Sequence, residues 1–166
     1  MKIRSERESD VEAIFEVTKL AFENHPVSRQ TEQFIVNALR AAGAMTISLV
    51  AEIEGAVVGH IAFSPVTISD GSRDWHMLGP VSVLPVWQRQ GVGTALVREG
   101  LSQLKSLGAQ GCFLVGPPEY YNRFGFECVP GLTVEGVPPQ FCLALAFGTE
   151  QAQGTITHHE AFAATA

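Results

Sequence analysis

Apolar and polar residues alternate at Lys2-Ile3-Arg4, the period-two pattern of a short strand. The period then changes. Val11, Ile14, Phe15, Leu20 and Phe22 recur near every 3.6 residues, which predicts a helix opened by Glu8 or Ser9. His25-Pro26 ends it, because proline disfavours a helical conformation in the residue before it. Phe34, Ile35, Ala38 and Leu39 form a second stripe, predicting a helix from about Thr31 that stops at Gly43. From Thr46 the pattern is extended. Residues 46–53 and 56–68 read as strands joined by a Glu54-Gly55 hairpin turn. Asp70-Gly71 marks the next turn, and 75–84, ended by Pro85, completes an antiparallel meander of three strands.

Val92, Leu96, Val97, Leu101 and Leu104 predict an amphipathic helix over 91–107, closed by Gly108. The wholly apolar run 111–115 reads as a buried strand after a crossover. Residues 117–122 suffice for a short helix or turn, 141–147 for a strand and 154–159 for a weaker one. No repeat or low-complexity linker interrupts the 166 residues, which predicts one domain over 1–166. The element order predicts an α+β fold of three layers, with a mixed central sheet flanked by helices.

Composition narrows the class. With 46% apolar and 17% charged residues, the chain does not read as disordered. Its longest apolar runs, such as 141–147, fall far short of the roughly 20 residues that span a membrane. The start, Met1-Lys2-Ile3-Arg4-Ser5-Glu6, lacks the apolar stretch of a secretory signal, so a cytoplasmic protein is expected. Lys and Arg number 11 against 17 Asp and Glu, a net charge of −6. That argues against a nucleic-acid partner, which needs a basic face, but leaves room for one local phosphate site. Cys112, Cys128 and Cys142 form no C-x-x-C pair, and are expected to be small buried hydrophobes in a reducing compartment. His158-His159-Glu160 is not a metal site on this pattern, because adjacent strand residues point to opposite faces.

The stretch that carries chemistry is Leu84-Pro85-Val86-Trp87-Gln88-Arg89-Gln90-Gly91-Val92-Gly93-Thr94, joining a strand to a helix. Two glycines one residue apart let the backbone turn tightly and present successive N–H groups outward. The helix adds its free N-terminal amides and positive dipole end, so the loop suits phosphate oxygens, with Arg89 supplying a side-chain charge. Neither a G-x-x-x-x-G-K-[ST] loop nor G-x-G-x-x-G is present, since Leu96 stands at the last position of the latter.

Gln88-Arg89-Gln90-Gly91-Val92-Gly93 resembles the [QR]-x-x-G-x-[GA] acyl-CoA signature of the GNAT superfamily of N-acetyltransferases. Tyr121-Asn122-Arg123-Phe124-Gly125-Phe126 resembles that family's Y-x-[KR]-x-G-F element, one helix and one strand downstream. Residues 59–65, 78–83 and the tail around His158-His159 look similar to a small group of predicted N-acetyltransferases within it. The resemblance covers essentially the whole chain and implies a three-layer GNAT-like fold with splayed central strands.

By this resemblance the co-substrate is acetyl-CoA. Gln88 and the backbone amides of Arg89, Gln90, Gly91, Val92, Gly93 and Thr94 would hold its pyrophosphate. The Val81-Ser82-Val83 strand would pair with the pantetheine amides through the backbone of Val81 and Val83, as an added strand does. Pro80 and Pro85 bracket that strand and fit an interrupted ladder. Arg123 could reach CoA phosphates or cap the surface. Tyr121, or Tyr120 if the register slips by one, would donate a proton to the departing thiolate. The family's Glu on a central strand has no counterpart in 75–84, which leaves the general base among His60, His76, Glu119, Glu23 and a water held by a carbonyl such as that of Gly79. His60 has the pKa range for that duty.

The implied activity moves an acetyl group from acetyl-CoA to a primary amine by direct attack in a ternary complex, without a covalent acyl-enzyme. The amine, a small molecule or a peptide, is not specified by the sequence. Asn24, His25 and Arg29, and the segment 129–140, would border it. The alternative is a non-catalytic acetyl-CoA-binding sensor or partner-binding module. Monomer and homodimer both remain open.

Overall fold

The computed structural model describes residues 1–149 and 151–166. The main sheet has seven strands: β1 (Lys2–Ser5), β2 (Ile47–Ile53), β3 (Ala56–Pro65), β5 (Trp75–Val83), β6 (Gly111–Val115), β9 (Cys142–Ala146) and β7 (Glu127–Cys128), in that spatial order. All neighbours run antiparallel except β5 and β6, which are parallel. A second sheet of three short strands orders β4 (Thr67–Ile68), β10 (Gly154–Thr157) and β8 (Leu132–Thr133). The helices are α1 (Val11–Phe22), α2 (Glu32–Ala41), α3 (Val92–Ser106) and a single turn, α4 (Pro118–Tyr121).

The layers follow from which face each strand residue takes. Leu49, Ile61, Phe63, Leu114 and Leu143 turn to one face and pack with Leu96, Val97, Leu101 and Leu104 of α3. On the opposite face, Val50 meets Ile14 of α1 and Val36 of α2. Trp75, Phe113 and Ala144 meet Ile68, Leu132 and Ile156 of the second sheet on that side. Two glycines set the spacing. A Cβ on Gly100 of α3 would lie 2.2 Å from the Phe63 ring, and one on Gly111 would lie 2.4 Å from the Trp75 ring.

The predicted helices and the three-strand meander form where the patterns place them, with Glu54 and Gly55 both at positive φ in the hairpin turn. The stretch 56–68 divides, however. Its last two residues, β4, leave the main sheet for the second one. The buried face of α1 is Ile14, Val17 and Thr18, while Leu20 is exposed. Cys112 and Cys142 are buried as expected, but Cys128 is exposed, because β7 is the edge strand of the sheet. Its thiol donates to the Pro139 carbonyl at 3.3 Å. No helix among the described residues is long and apolar enough to cross a membrane.

Candidate active site

Strands β5 and β6 pair only at Trp75–Gly111, His76–Cys112 and Met77–Phe113, then part although both continue. Just past the last pair, Gly79 and Pro80 face the single residue Ala62 of β3, a bulge that turns the strand. The part of β5 beyond it is bonded on one side only. Leu84 N–H donates to the Val58 carbonyl at 2.9 Å, and antiparallel bonding alternates, so Ser82 also bonds to β3. Val81 and Val83 therefore direct their N–H and C=O groups into the opening between the strands. Gln88 confirms the direction at one end, its Nε2 donating to the Val83 carbonyl at 3.0 Å.

At the top of the opening the chain runs through a single 3₁₀ turn, Pro85–Trp87, and then the glycine loop. Arg89 has φ +63° and Gly91 φ +88°, left-handed conformations that fold the loop back onto the start of α3. Gly91 caps α3 without any side-chain hydrogen bond, and the first turn carries no acidic residue. The Ala95 amide is the first one bonded to the helix cap, at 3.0 Å from the Gly91 carbonyl. The amides of Val92, Gly93 and Thr94 are thus the orphan donors of this helix start, at its positive end. The Val92 side chain is buried in the core while its amide faces the loop. Arg89 is exposed, and Gln90 braces the loop through a 2.9 Å bond to the Val86 carbonyl.

The two tyrosines take different places. The Tyr120 hydroxyl lies against the first turn of α3, 3.1 Å from where a Cβ on Gly93 would stand. Arg123 lies over its ring, 4.5 Å from the centroid, and donates Nε–H to the Tyr120 carbonyl at 2.8 Å. Tyr121 turns inward against Gly116, Phe126 and the α3-side core. Its phenol is pushed up to about 12 by burial and, secondarily, by Tyr120. Among the described residues that hydroxyl has no hydrogen-bond partner, yet it is not one of the sealed polar atoms, so it opens to solvent.

The general-base candidates fare differently. His60 has no exposed surface, and its Nε2 is engaged by Ser48 at 2.8 Å, so it cannot touch an acceptor amine directly. The expectation of a catalytic His60 therefore meets a sealed side chain: the residues near it on β3 are buried, and α1 packs on that strand. His76 lies on the still-paired part of β5, and burial lowers its pKa. Glu23 and Glu119 are exposed, one at the end of α1 and one in the first turn of α4. Ser82 aims its side chain at Thr18 of α1, away from the opening. Cys112 is sealed, and burial raises its thiol pKa far above the usual range. The described residues contain no cluster of three metal-ligating side chains. Asn24, His25 and Arg29 sit exposed on the connection between α1 and α2.

Residues 2–129 match the family model for the acetyltransferase (GNAT) domain. The chain belongs to the GNAT family. It is 36% identical over 128 residues to the uncharacterized N-acetyltransferase YhbS of Escherichia coli K12, covering 76% of this chain and 74% of that one. A GNAT family acetyltransferase from Brucella melitensis, solved in complex with acetyl-CoA, is 48% identical, covers 97% of each chain and superposes with a TM-score of 0.87. The Escherichia coli YhbS structure in complex with CoA is 29% identical, covers 98% of this chain and 91% of its own, and gives 0.88. The GNAT fold accounts for the features described above: the mixed sheet, the parted β5 and β6, and the glycine loop ahead of α3.

Proposed function

We propose that this GNAT acetyltransferase, as one acyl-CoA N-acyltransferase unit over 1–166, moves an acetyl group from acetyl-CoA to a primary amine by direct attack. The observation that carries the reading is the opening between β5 and β6, with the free amides of Val92, Gly93 and Thr94 at its top. Those amides and Arg89 suit a pyrophosphate, and Arg123 adds a second positive charge near Gly93 through its stacking on Tyr120. The outward backbone groups of Val81 and Val83 suit the pantetheine amides, as an added strand would use them. A ligand held this way places its thioester deeper in the opening, beyond Tyr120 and towards Tyr121.

The amine nitrogen attacks the carbonyl carbon, the carbon–sulfur bond breaks, and the sulfur leaves with the electron pair. Tyr121 donates its phenolic proton to that sulfur; its raised pKa keeps the proton in place at neutral pH until it is needed. The attacking nitrogen loses its proton to a water held at the Gly79 carbonyl in the bulge, since β5 carries no carboxylate, and solvent returns a proton to the Tyr121 phenolate to close the cycle. The acceptor enters over the connection after Phe22 and the segment 129–140. The test is release of CoA thiol from acetyl-CoA across a panel of primary amines. Turnover with at least one amine supports the reading. Tight acetyl-CoA binding with no turnover across the panel would favour the non-catalytic binding module instead.

A further inference from the structure

Beneath α1 lies a line of polar groups that the acyl-CoA site does not use. Glu6, just past β1, accepts from Arg40 of α2 at 2.8 and 3.0 Å and from the hydroxyl of Ser48. The one hydroxyl proton of Ser48 goes to the carboxylate, so its Oγ must accept from His60 Nε2 at 2.8 Å. The imidazole is therefore the Nε2–H tautomer, and Nδ1 carries a free lone pair. The carboxylate sets the tautomer through a hydroxyl, as a carboxylate directly on an imidazole does in hydrolytic triads.

Nδ1 is sealed from solvent and has no partner among the described residues. Directly opposite His60 in the register stands Ser82 of β5, 2% exposed. The Ser82 and Thr18 hydroxyl oxygens are 3.3 Å apart. Thr18 spends its own proton on the Ile14 carbonyl at 2.7 Å, so Ser82 is the donor to Thr18 and keeps acceptor capacity. A buried nitrogen without a partner is costly, and proteins meet that cost with an ordered water that finds two or more polar partners. A water donating one proton to Nδ1 and one to Ser82 Oγ satisfies both groups.

We propose that His60 Nδ1 and Ser82 Oγ share an internal water, and that His60 is thereby a positioning residue for the Val81-Ser82-Val83 segment. Ser82 bonds to β3 through its backbone and to this seam through its side chain, while the residues on either side of it face the opening. Fixing Ser82 from beneath fixes the pleat that aims Val81 and Val83. The charged groups facing the imidazole are Glu6, 3.7 Å from Nε2, and Arg40 beyond it. Burial is the larger influence and holds His60 neutral, with Glu6 opposing it.

The positioning role rests on the acyl-CoA reading; the water site does not. Nitrogen-15 spectra of the histidine rings test the free Nδ1 lone pair that the site needs, and nuclear Overhauser contacts from water to the His60 ring test the water itself; an Nε2–H ring with no such contact would overturn the site. The proposal expects a neutral Nε2–H ring for His60 between about pH 6 and 8, where exposed histidines titrate. An Nδ1–H or ionised ring in the unaltered protein at neutral pH would overturn the site. Calorimetric titration with acetyl-CoA decides the role. Ser82→Ala should weaken binding about three- to ten-fold, the worth of one hydrogen bond, with the His60 tautomer unchanged. Binding within two-fold of the unaltered protein would overturn the role. No acetyl-CoA binding by the unaltered protein would instead refute the acyl-CoA reading and the role with it, leaving the tautomer and the water contacts to decide the water site.

Discussion

Replacing Gly100 by alanine separates helix propensity from packing in a way the structure decides. In an open helical position the change gains about 1 kcal/mol. Here the added Cβ would sit 2.2 Å from Phe63 Cε2 and 2.5 Å from Cζ, against the roughly 3.5–4.0 Å of ordinary carbon contact. Phe63 has no exposed surface and lies within β3, so its ring has nowhere to turn. The helix must rise by more than about 1 Å, an overpacking that costs about 1–3 kcal/mol and outweighs the propensity gain. The rise also carries the Val92–Thr94 amides away from Val81 and Val83, so acetyl-CoA affinity should fall together with stability. Urea unfolding measures the first and calorimetry the second. Ser102→Ala, at an exposed position on the same helix, is the control and should stabilise slightly. A Gly100→Ala protein as stable as the unaltered one would refute the packing argument.

Tyr121→Phe should lower turnover at least ten-fold while leaving acetyl-CoA affinity within about two-fold, read by initial rates and calorimetry; an unchanged rate would move the proton donor elsewhere. Gly91→Ala has open space for its Cβ but keeps φ near +88°, so the cost is backbone strain of about 1–2 kcal/mol in the loop, seen as weaker acetyl-CoA binding. Stability should decline in acid in two stages. Burial holds His60 neutral in the folded chain, whereas the unfolded chain binds that proton near pH 6.5, so stability falls as pH drops below about 7. Arg4 holds Asp10 below the usual carboxylate range. Burial alone would raise Glu6, but the neighbouring His60 ring and hydrogen bonds from Arg40 and Ser48 outweigh it and hold Glu6 low as well. Both carboxylates therefore stabilise above about pH 5 and lose that contribution as pH falls through their depressed values. Burial lowers His76 in the same direction as His60, so unfolding midpoints against pH should show the first stage reduced, not abolished, by His60→Gln; a stage left unchanged by His60→Gln would contradict the assignment.

Local signals made the glycine loop legible. The role proposed for Gln88–Thr94 uses consecutive backbone groups, so a short motif holds nearly all of the loop's geometry. The meander and α3 were legible for the same reason, being set by neighbours in sequence and ended by glycine or proline. His60 was not, because β3 is covered on both faces: its central residues are all buried, and no alternation separates the solvent side from the sealed side. The Ser82–Thr18 contact joins residues 64 apart, and Glu6–Ser48 joins residues 42 apart; no periodicity reports such pairings. The second sheet escaped for want of length, since β4 and β8 have two residues each. The separate positions of Tyr120 and Tyr121 are set by Gly93 and Gly116, glycines whose neighbours only the fold reveals.

The central claim is that the opening between β5 and β6, topped by the start of α3, holds acetyl-CoA. Backbone amide chemical shifts during titration with acetyl-CoA test it most directly. The largest changes should fall on Val81, Val83 and residues 89–94, with smaller ones at Tyr120 and Tyr121. No change at saturating acetyl-CoA, or changes confined to the cleft at the far end of α3 around Glu6, Ser48, Glu99 and Ser102, would contradict it.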